Sequence, residues 1–335
     1  MLYKTFFNFR SFSFSRSQAL SQLTLAARLL STKSFPPFAV ERWIGWERAL
    51  TNPSCLNLSN SDCEPLTLKG LLLKATPSQR MSWEELTLGY GDQIGSLELR
   101  EEVKAAFFTS REVTPSSINI CAPSEGIFLA VHAVLLAATA PAPAGPPILS
   151  KEDLEEEALF ESMFGKKASS FASSDDGGDE AEVSDVYLSA NQAPAHVVSC
   201  MPCYQSLYEV AKNLNAEITP WFPRTSENSG GSFLFDVADF LQLIREDTKL
   251  VVLNFPHNPT GATLSPGDFH RVVVACKAVG AYLLNDEMYR SLEHPPLAPL
   301  PTAADSYEKG ISLGGVSKSL ALPGLRIGWL ASQVS

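Results

Sequence analysis

Lys249-Leu-Val-Val-Leu-Asn-Phe-Pro-His-Asn-Pro-Thr-Gly261 opens as an apolar run and breaks at a loop of Pro, Asn and Gly. Ser265-Pro-Gly-Asp268 follows and reads as a helix N-cap with proline at the first helical position, predicting a helix to about Val279. Residues 281–285 form a second apolar run, Ala-Tyr-Leu-Leu-Asn. Neither run alternates with polar residues, so each predicts a strand buried on both faces. The same alternation extends outward. Ile118–Cys121 reads as a strand and 126–136 as a helix; His196–Cys200 reads as a strand and 204–214 as a helix; 310–313 is a further strand. The pattern predicts an α/β fold, a mainly parallel sheet covered by helices on both faces. Ligands of such sheets sit beyond the carboxyl ends of the strands.

At 335 residues and 36.4 kDa the chain is long enough for a large buried core. Its formal net charge of −11 argues against a general nucleic-acid binder. No uninterrupted apolar run of about 18 residues predicts a membrane span. Six cysteines in a chain of this length do not make a disulfide scaffold. Cys200-Met-Pro-Cys203 has half-zinc spacing, but no second pair of that kind follows, so no metal site is expected.

The ends of the chain's segments differ in composition. The first 40 residues hold no Asp or Glu, carry Lys4, Arg10, Arg16, Arg28 and Lys33, and are rich in Ser and Phe. That is the composition of an organellar transit peptide, expected to span residues 1–34. Between Lys151 and Asp185 twelve acidic residues face three lysines, so one segment supplies most of the net charge. Residues 141–195 therefore read as a disordered acidic insertion that cannot bury enough apolar surface to order itself.

The strand ends carry the chemistry. Asn258 follows one run; Asp286, Glu287 and Tyr289 follow the next; Ser317, Lys318 and then Arg326 follow the third. Ala122-Pro-Ser-Glu-Gly126 joins a strand to a helix start. A lysine between apolar elements can serve as an amine nucleophile. An arginine, a serine hydroxyl and a helix N-terminus make a phosphate site. A carboxylate at a strand end can hold a protonated ring nitrogen. Together these groups describe a site for pyridoxal 5'-phosphate. Glu287 is expected to point away from that site, and His257 to be a loop residue before Asn258.

Asn258-Pro-Thr-Gly261, Asp286-Glu-Met-Tyr289 and Ser317-Lys-Ser-Leu-Ala-Leu-Pro-Gly-Leu-Arg-Ile-Gly328 resemble, in order and spacing, the motifs of the class I/II aminotransferases of the fold-type I pyridoxal-phosphate superfamily. Tyr90-Gly-Asp-Gln-Ile-Gly95 with Leu97, Leu99 and Arg100, and Pro202-Cys-Tyr204, fit the same resemblance. It implies that Lys318 forms a Schiff base with the cofactor and moves the substrate α-proton, and that Asp286 pairs with the pyridinium. It implies that Asn258 and Tyr289 bond the phenolic oxygen and that Tyr204 stacks on the ring. Ser317 and Arg326 would hold the phosphate, with backbone N–H groups at Ser124, Glu125 and Gly126, and Tyr90 would reach it across a homodimer interface.

The implied substrates are an amino acid and a 2-oxo acid. The same cofactor shell also serves lyases, cyclases and synthases, so those reactions stay open beside transamination. Residues 35–90 are expected as an N-terminal arm with part of a small domain, and 91–335 as the cofactor-binding large domain. Family members continue past the segment ending at Ser335, so the small domain is expected to be largely missing, with the arginine for the substrate carboxylate unassigned; a catalytically impaired cofactor-binding fragment is the alternative expectation. Leu56-Asn-Leu-Ser-Asn-Ser-Asp62 departs from the family's glycine-bearing loop. The N-terminal composition implies a mitochondrial address, with plastid or cytoplasm as alternatives.

Overall fold

The computed structural model describes residues 61–139, 193–226 and 232–333. The expected transit peptide and nearly all of the acidic insertion lie outside these residues.

Three helices come first: α1 (Leu68–Lys74), α2 (Pro77–Glu84) and α3 (Leu97–Phe107). Strand β1 (Ile118–Cys121) leads into α4 (Pro123–Thr139). Beyond the insertion come β2 (His196–Cys200), α5 (Ser206–Asn213) and β3 (Glu217–Trp221), then a small hairpin of β4 (Arg224–Ser226) and β5 (Ser232–Leu234). The last part runs α6 (Val237–Leu243), β6 (Thr248–Leu253), α7 (Pro266–Val279), β7 (Tyr282–Asp286), α8 (Ala303–Ser306), β8 (Gly310–Gly315) and β9 (Gly328–Ser332).

Seven strands form one sheet in the order β1-β9-β8-β7-β6-β2-β3. The five strands from β8 to β3 are parallel, whereas β9 runs antiparallel to both β8 and β1. The mainly parallel sheet expected from the apolar runs is present. Side chains on successive strand residues point to opposite faces. Val251 and Leu253 of β6 therefore join Val198, Leu283, Phe269 and Val272 on one side. Leu250 and Val252 join Val197, Leu284, Ile127 and Leu207 on the other. Each such fully buried aliphatic side chain contributes about 1.5–3 kcal/mol. Both faces are apolar because α6 and α7 cover one and α4 and α5 the other, which is why these strands read as continuous runs.

Helix α7 starts and stops as its sequence dictates. The Ser265 hydroxyl accepts from the Asp268 N–H, Pro266 fills the first turn, and Gly280 closes the helix with φ 70°. Two expected elements differ. Helix α4 begins at Pro123 rather than at 126, because proline is tolerated in a first turn and the Glu125 carboxylate accepts the Ala122 N–H at 3.1 Å. Helix α5 begins at Ser206 rather than at 204, which leaves Tyr204 in the loop. Strand β3 carries Pro220 as its fourth residue of five, which obscures it in the sequence; the strand lies at the sheet edge, where a proline is tolerated.

Candidate active site

Strands β6, β7 and β8 are adjacent and parallel, so their carboxyl ends meet at one edge of the sheet. The last pairs are Leu253 with Asn285 and Asp286 with Leu313. That register sets Asn254, Asp286 and the segment carrying Ser317 and Lys318 side by side.

Asp286 is buried and accepts the Met288 N–H at 3.0 Å. Burial raises its carboxyl to about 6, against the opposing pull of that N–H and of the Lys318 charge. Glu287 points elsewhere, as expected. Its Oε1 accepts the Ala303 N–H at 2.9 Å, the Ser312 hydroxyl at 2.8 Å and the Asn285 amide at 3.4 Å. Burial pushes its carboxyl to about 7. The two neighbouring acids thus divide their work: Glu287 ties α8 to β8, and Asp286 faces the strand-end site.

Lys318 Nζ donates to the Ser61 carbonyl at 3.0 Å and lies 3.4 Å from Asp62 Oδ1. Two more bonds fasten the same stretch: the Cys63 thiol donates to Ser317 O at 3.2 Å, and Leu66 N to Ala321 O at 2.9 Å. Residues 61–66 therefore lie across the lysine-bearing turn. Lys318 and Asp286 are close enough for their charges to couple, while the direct polar partners of Nζ come from the N-terminal side.

The Ser317 hydroxyl is buried and has no hydrogen-bond partner. Val316 N donates to Ile327 O at 3.1 Å, one step past the last β8–β9 pair of Gly315 with Gly328, which brings the segment carrying Arg326 near the one carrying Ser317. Arg326 is exposed, adopts φ 55°, and its Nη1 donates to Pro323 O at 3.3 Å. Ser124 and Glu125 lie in the first turn of α4, whose N–H groups have no carbonyl partner within the helix. Gly126 differs from expectation: its N–H already donates to Ala122 O at 2.9 Å, and a Cβ there would come within 2.9 Å of Leu313 Cδ1. Its glycine is explained by helix–sheet packing, and the donors facing outward are those of Ser124 and Glu125. Tyr204 reaches α4, with its hydroxyl 3.4 Å from Ser124 Oγ. Tyr90 stands fully exposed and joins none of these groups within the single chain.

Asn258 is half-buried, and its backbone N donates to Asn254 Oδ1 at 3.3 Å. Tyr289 is half-buried in the turn after β7. His257 is more than a loop residue: it is buried, its ring centroid lies 4.6 Å from that of Phe235, and Nδ1 is 2.7 Å from Thr260 Oγ1. Burial lowers it to about 4, so it is neutral at neutral pH. Sequence reading missed Asn254, Asn285 and residues 61–63. The signal for Asn254 was present, a polar residue closing an apolar run directly before Phe255-Pro256.

The residues present fit the cofactor their pattern implies. The buried hydroxyl of Ser317 offers a donor with no protein acceptor, Arg326 supplies an exposed positive charge on a nearby segment, and the first turn of α4 adds backbone donors, which is a donor set for a phosphate. A buried acid beside a lysine fits a basic ring nitrogen and an aldehyde.

Residues 177–335 match the family described as Aminotransferase class I and II. Capreomycidine synthase of Streptomyces vinaceus is 37% identical over 135 residues, covering 40% of this chain and 33% of that protein. The arginine–pyruvate transaminase of Pseudomonas aeruginosa is 33% identical over 143 residues, covering 42% of this chain and 35% of its own length. The chain thus spans about a third of the curated relatives it matches. A PLP-dependent aminotransferase from Streptococcus suis superposes with a TM-score of 0.60 at 26% identity, covering 90% of this chain and 63% of that one. Motifs, sheet order and these likenesses agree: residues 177–335 are similar to the class I and II aminotransferases, and the fold is similar to that of a PLP-dependent aminotransferase.

Proposed function

We propose that this protein is a pyridoxal-phosphate-dependent aminotransferase acting between an amino acid and a 2-oxo acid. The observation that carries the reading is the strand-end juxtaposition of buried Asp286 with Lys318 and the unpartnered Ser317 hydroxyl. When bound, the cofactor supplies an aldehyde and an electron-withdrawing ring that stabilises a carbanion at the substrate α-carbon. The chain's own residues bind and orient. Ser317, Arg326 and the α4 N-terminus would hold the phosphate, and Tyr204 would cover one ring face. Asp286, ionised at neutral pH, would keep the ring nitrogen protonated, while Asn258 and Tyr289 would bond the ring oxygen. The Lys318 amine would bond the aldehyde and, once released by substrate, carry the α-proton.

The test adds pyridoxal phosphate, reduces with borohydride and maps the labelled peptide. Label on Lys318 and amino transfer to a 2-oxo acid support the reading; bound cofactor with label on another lysine sinks it. Arginine is a first donor to assay, given the transaminase of that specificity among the relatives. A cyclase or synthase reaction is the second reading, favoured by the likeness to capreomycidine synthase. It would appear as a product formed from the amino acid with no 2-oxo acid consumed. A homodimer is supported by exposed Leu73, Met81, Trp83, Leu88 and Tyr90 along and after α1 and α2, and sedimentation would test it. The acid-free N-terminus supports a mitochondrial address, testable with a fluorescent fusion.

A further inference from the structure

The hydrogen-bonded ladder between β6 and β7 ends at Leu253 and Asn285. Beyond it, side chains take over. Asn254 is buried, and its Nδ2 donates to the Asp286 carbonyl at 3.1 Å. Reciprocally, Phe255 N donates to Asn285 Oδ1 at 3.1 Å. The two asparagines thus brace the parallel strands one step past the backbone pairing. Asn254 does more, because its Oδ1 accepts from Asn258 N at 3.3 Å. One planar carboxamide therefore spans from the residue expected at the ring nitrogen to the residue expected at the ring oxygen. Its orientation is fixed by chemistry: flipped, it would set an acceptor against the Asp286 carbonyl and a donor against the Asn258 N–H. An aspartate at this position lacks the donor, and an aliphatic side chain lacks both groups.

We propose that Asn254 is a positioning residue that sets the spacing of Asp286 and Asn258 about the cofactor ring, an inference that rests on the cofactor reading above. Bound cofactor senses both contacts, since the Asp286 carboxylate holds its ring nitrogen and Asn258 its ring oxygen. Loosening their spacing alters the pH at which the lysine-bound cofactor changes its absorbance, in addition to weakening binding. A side chain that only stiffened the sheet would change stability alone.

The experiment titrates the absorbance of bound pyridoxal phosphate against pH and measures its affinity in wild type, Asn254→Ala and Asn254→Asp. Val272→Ala, a cavity in the buried face of α7, serves as the stability control. Both Asn254 variants are expected to move the absorbance midpoint by about half a pH unit or more. They are also expected to bind cofactor about tenfold more weakly, the loss of roughly one net hydrogen bond. Val272→Ala is expected to lower the melting temperature without moving the midpoint. Asn254→Asp is nearly isosteric and keeps the test alive if the alanine variant fails to fold. A wild-type midpoint and affinity in the folded Asn254 variants would overturn the proposal, as would an equal midpoint shift in Val272→Ala. Failure of wild type itself to form a borohydride-trapped bond at Lys318 is a distinct result, which removes the cofactor reading and the proposal with it.

Discussion

Lys318 and Ser61 stand 257 positions apart in sequence, yet the Lys318 amine donates to the Ser61 carbonyl at 3.0 Å. Asp62 sits beside them, with Oδ1 3.4 Å from Nζ. The bonds from Cys63 to Ser317 and from Leu66 to Ala321 hold this stretch against the lysine-bearing turn. The Lys318 amine thus has its direct polar partners in the N-terminal segment.

Attack on an aldehyde requires the amine to leave its hydrogen-bond partners, so a lysine held by a carbonyl and a carboxylate reacts more slowly. Asp62→Ala is expected to speed the formation of the lysine–cofactor bond severalfold, followed by stopped-flow absorbance. The effect on stability is expected to be small, because the carboxylate is exposed and such pairs contribute only about 0–1 kcal/mol. An unchanged or slower rate would mean that the ion pair does not restrain the amine.

The pH dependence of stability follows from two raised acids. Burial lifts Asp286 to about 6 and Glu287 to about 7, above the ordinary 3.8 and 4.5. A raised acid contributes stability in its protonated form; that contribution is complete below the unfolded-state pKa and is lost as pH rises through the folded-state value. Relative to Glu287→Gln, cofactor-free wild type is therefore expected to lose melting temperature between about pH 5 and about pH 8. The glutamine carbonyl can keep the three hydrogen bonds now made to Oε1. Asp286→Asn is expected to flatten the profile by a comparable amount and, on the proposed function, to abolish most turnover, because the ring nitrogen would lose its counter-ion. A constant difference between wild type and variants across this pH range would exclude the assignment.

Much of this was legible in the sequence because the signals were local. The runs in β6 and β7 are apolar on both faces, and Ser265 with Pro266 caps α7 through contacts within one turn. The strand-end motifs were legible for the same reason: Asp286 closes β7, and Ser317 and Lys318 come just after β8. Other features depend on distant partners. Nothing in residues 61–66 announces that they cross Lys318, and the packing role of Gly126 depends on Leu313 in β8. The burial of His257 depends on Phe235, from a different loop. Strand β3 was hidden because Pro220 contradicts a central strand and is tolerated only at an edge, a position set by the whole sheet order.

Two glycines make a matched stability test. A Cβ at Gly310 would strike the backbone of Ala303 and Tyr307, which flexible side chains cannot relieve. At Gly324 nothing lies within 4 Å of that position. Gly310→Ala is expected to lower the melting temperature markedly or to yield insoluble protein, with separation of α8 from β8 as the cause. Gly324→Ala is expected to melt within a degree or so of wild type, since exposed substitutions away from special features stay within about 0.5 kcal/mol. Equal melting of the two variants would contradict the close approach of β8 to α8.

Ser317 offers a change that separates stability from binding. Its hydroxyl is buried with no protein partner, so the cofactor-free fold gains little from it. A buried polar group without a partner is destabilising by about 1–3 kcal/mol. Ser317→Ala is therefore expected to leave the melting temperature of the cofactor-free protein unchanged or higher. The same change removes a hydrogen bond to an anionic phosphate, the stronger class of such bonds, and is expected to weaken cofactor binding about tenfold. Arg326→Ala is expected to weaken it further, because it removes the positive charge of the nearby exposed turn, where its Nη1 donates to Pro323 O. Calorimetry of the cofactor-free variants, paired with pyridoxal phosphate titrations, reads both effects. A Ser317→Ala protein that is less stable than wild type but binds cofactor normally would make the hydroxyl a structural group and move the phosphate site elsewhere.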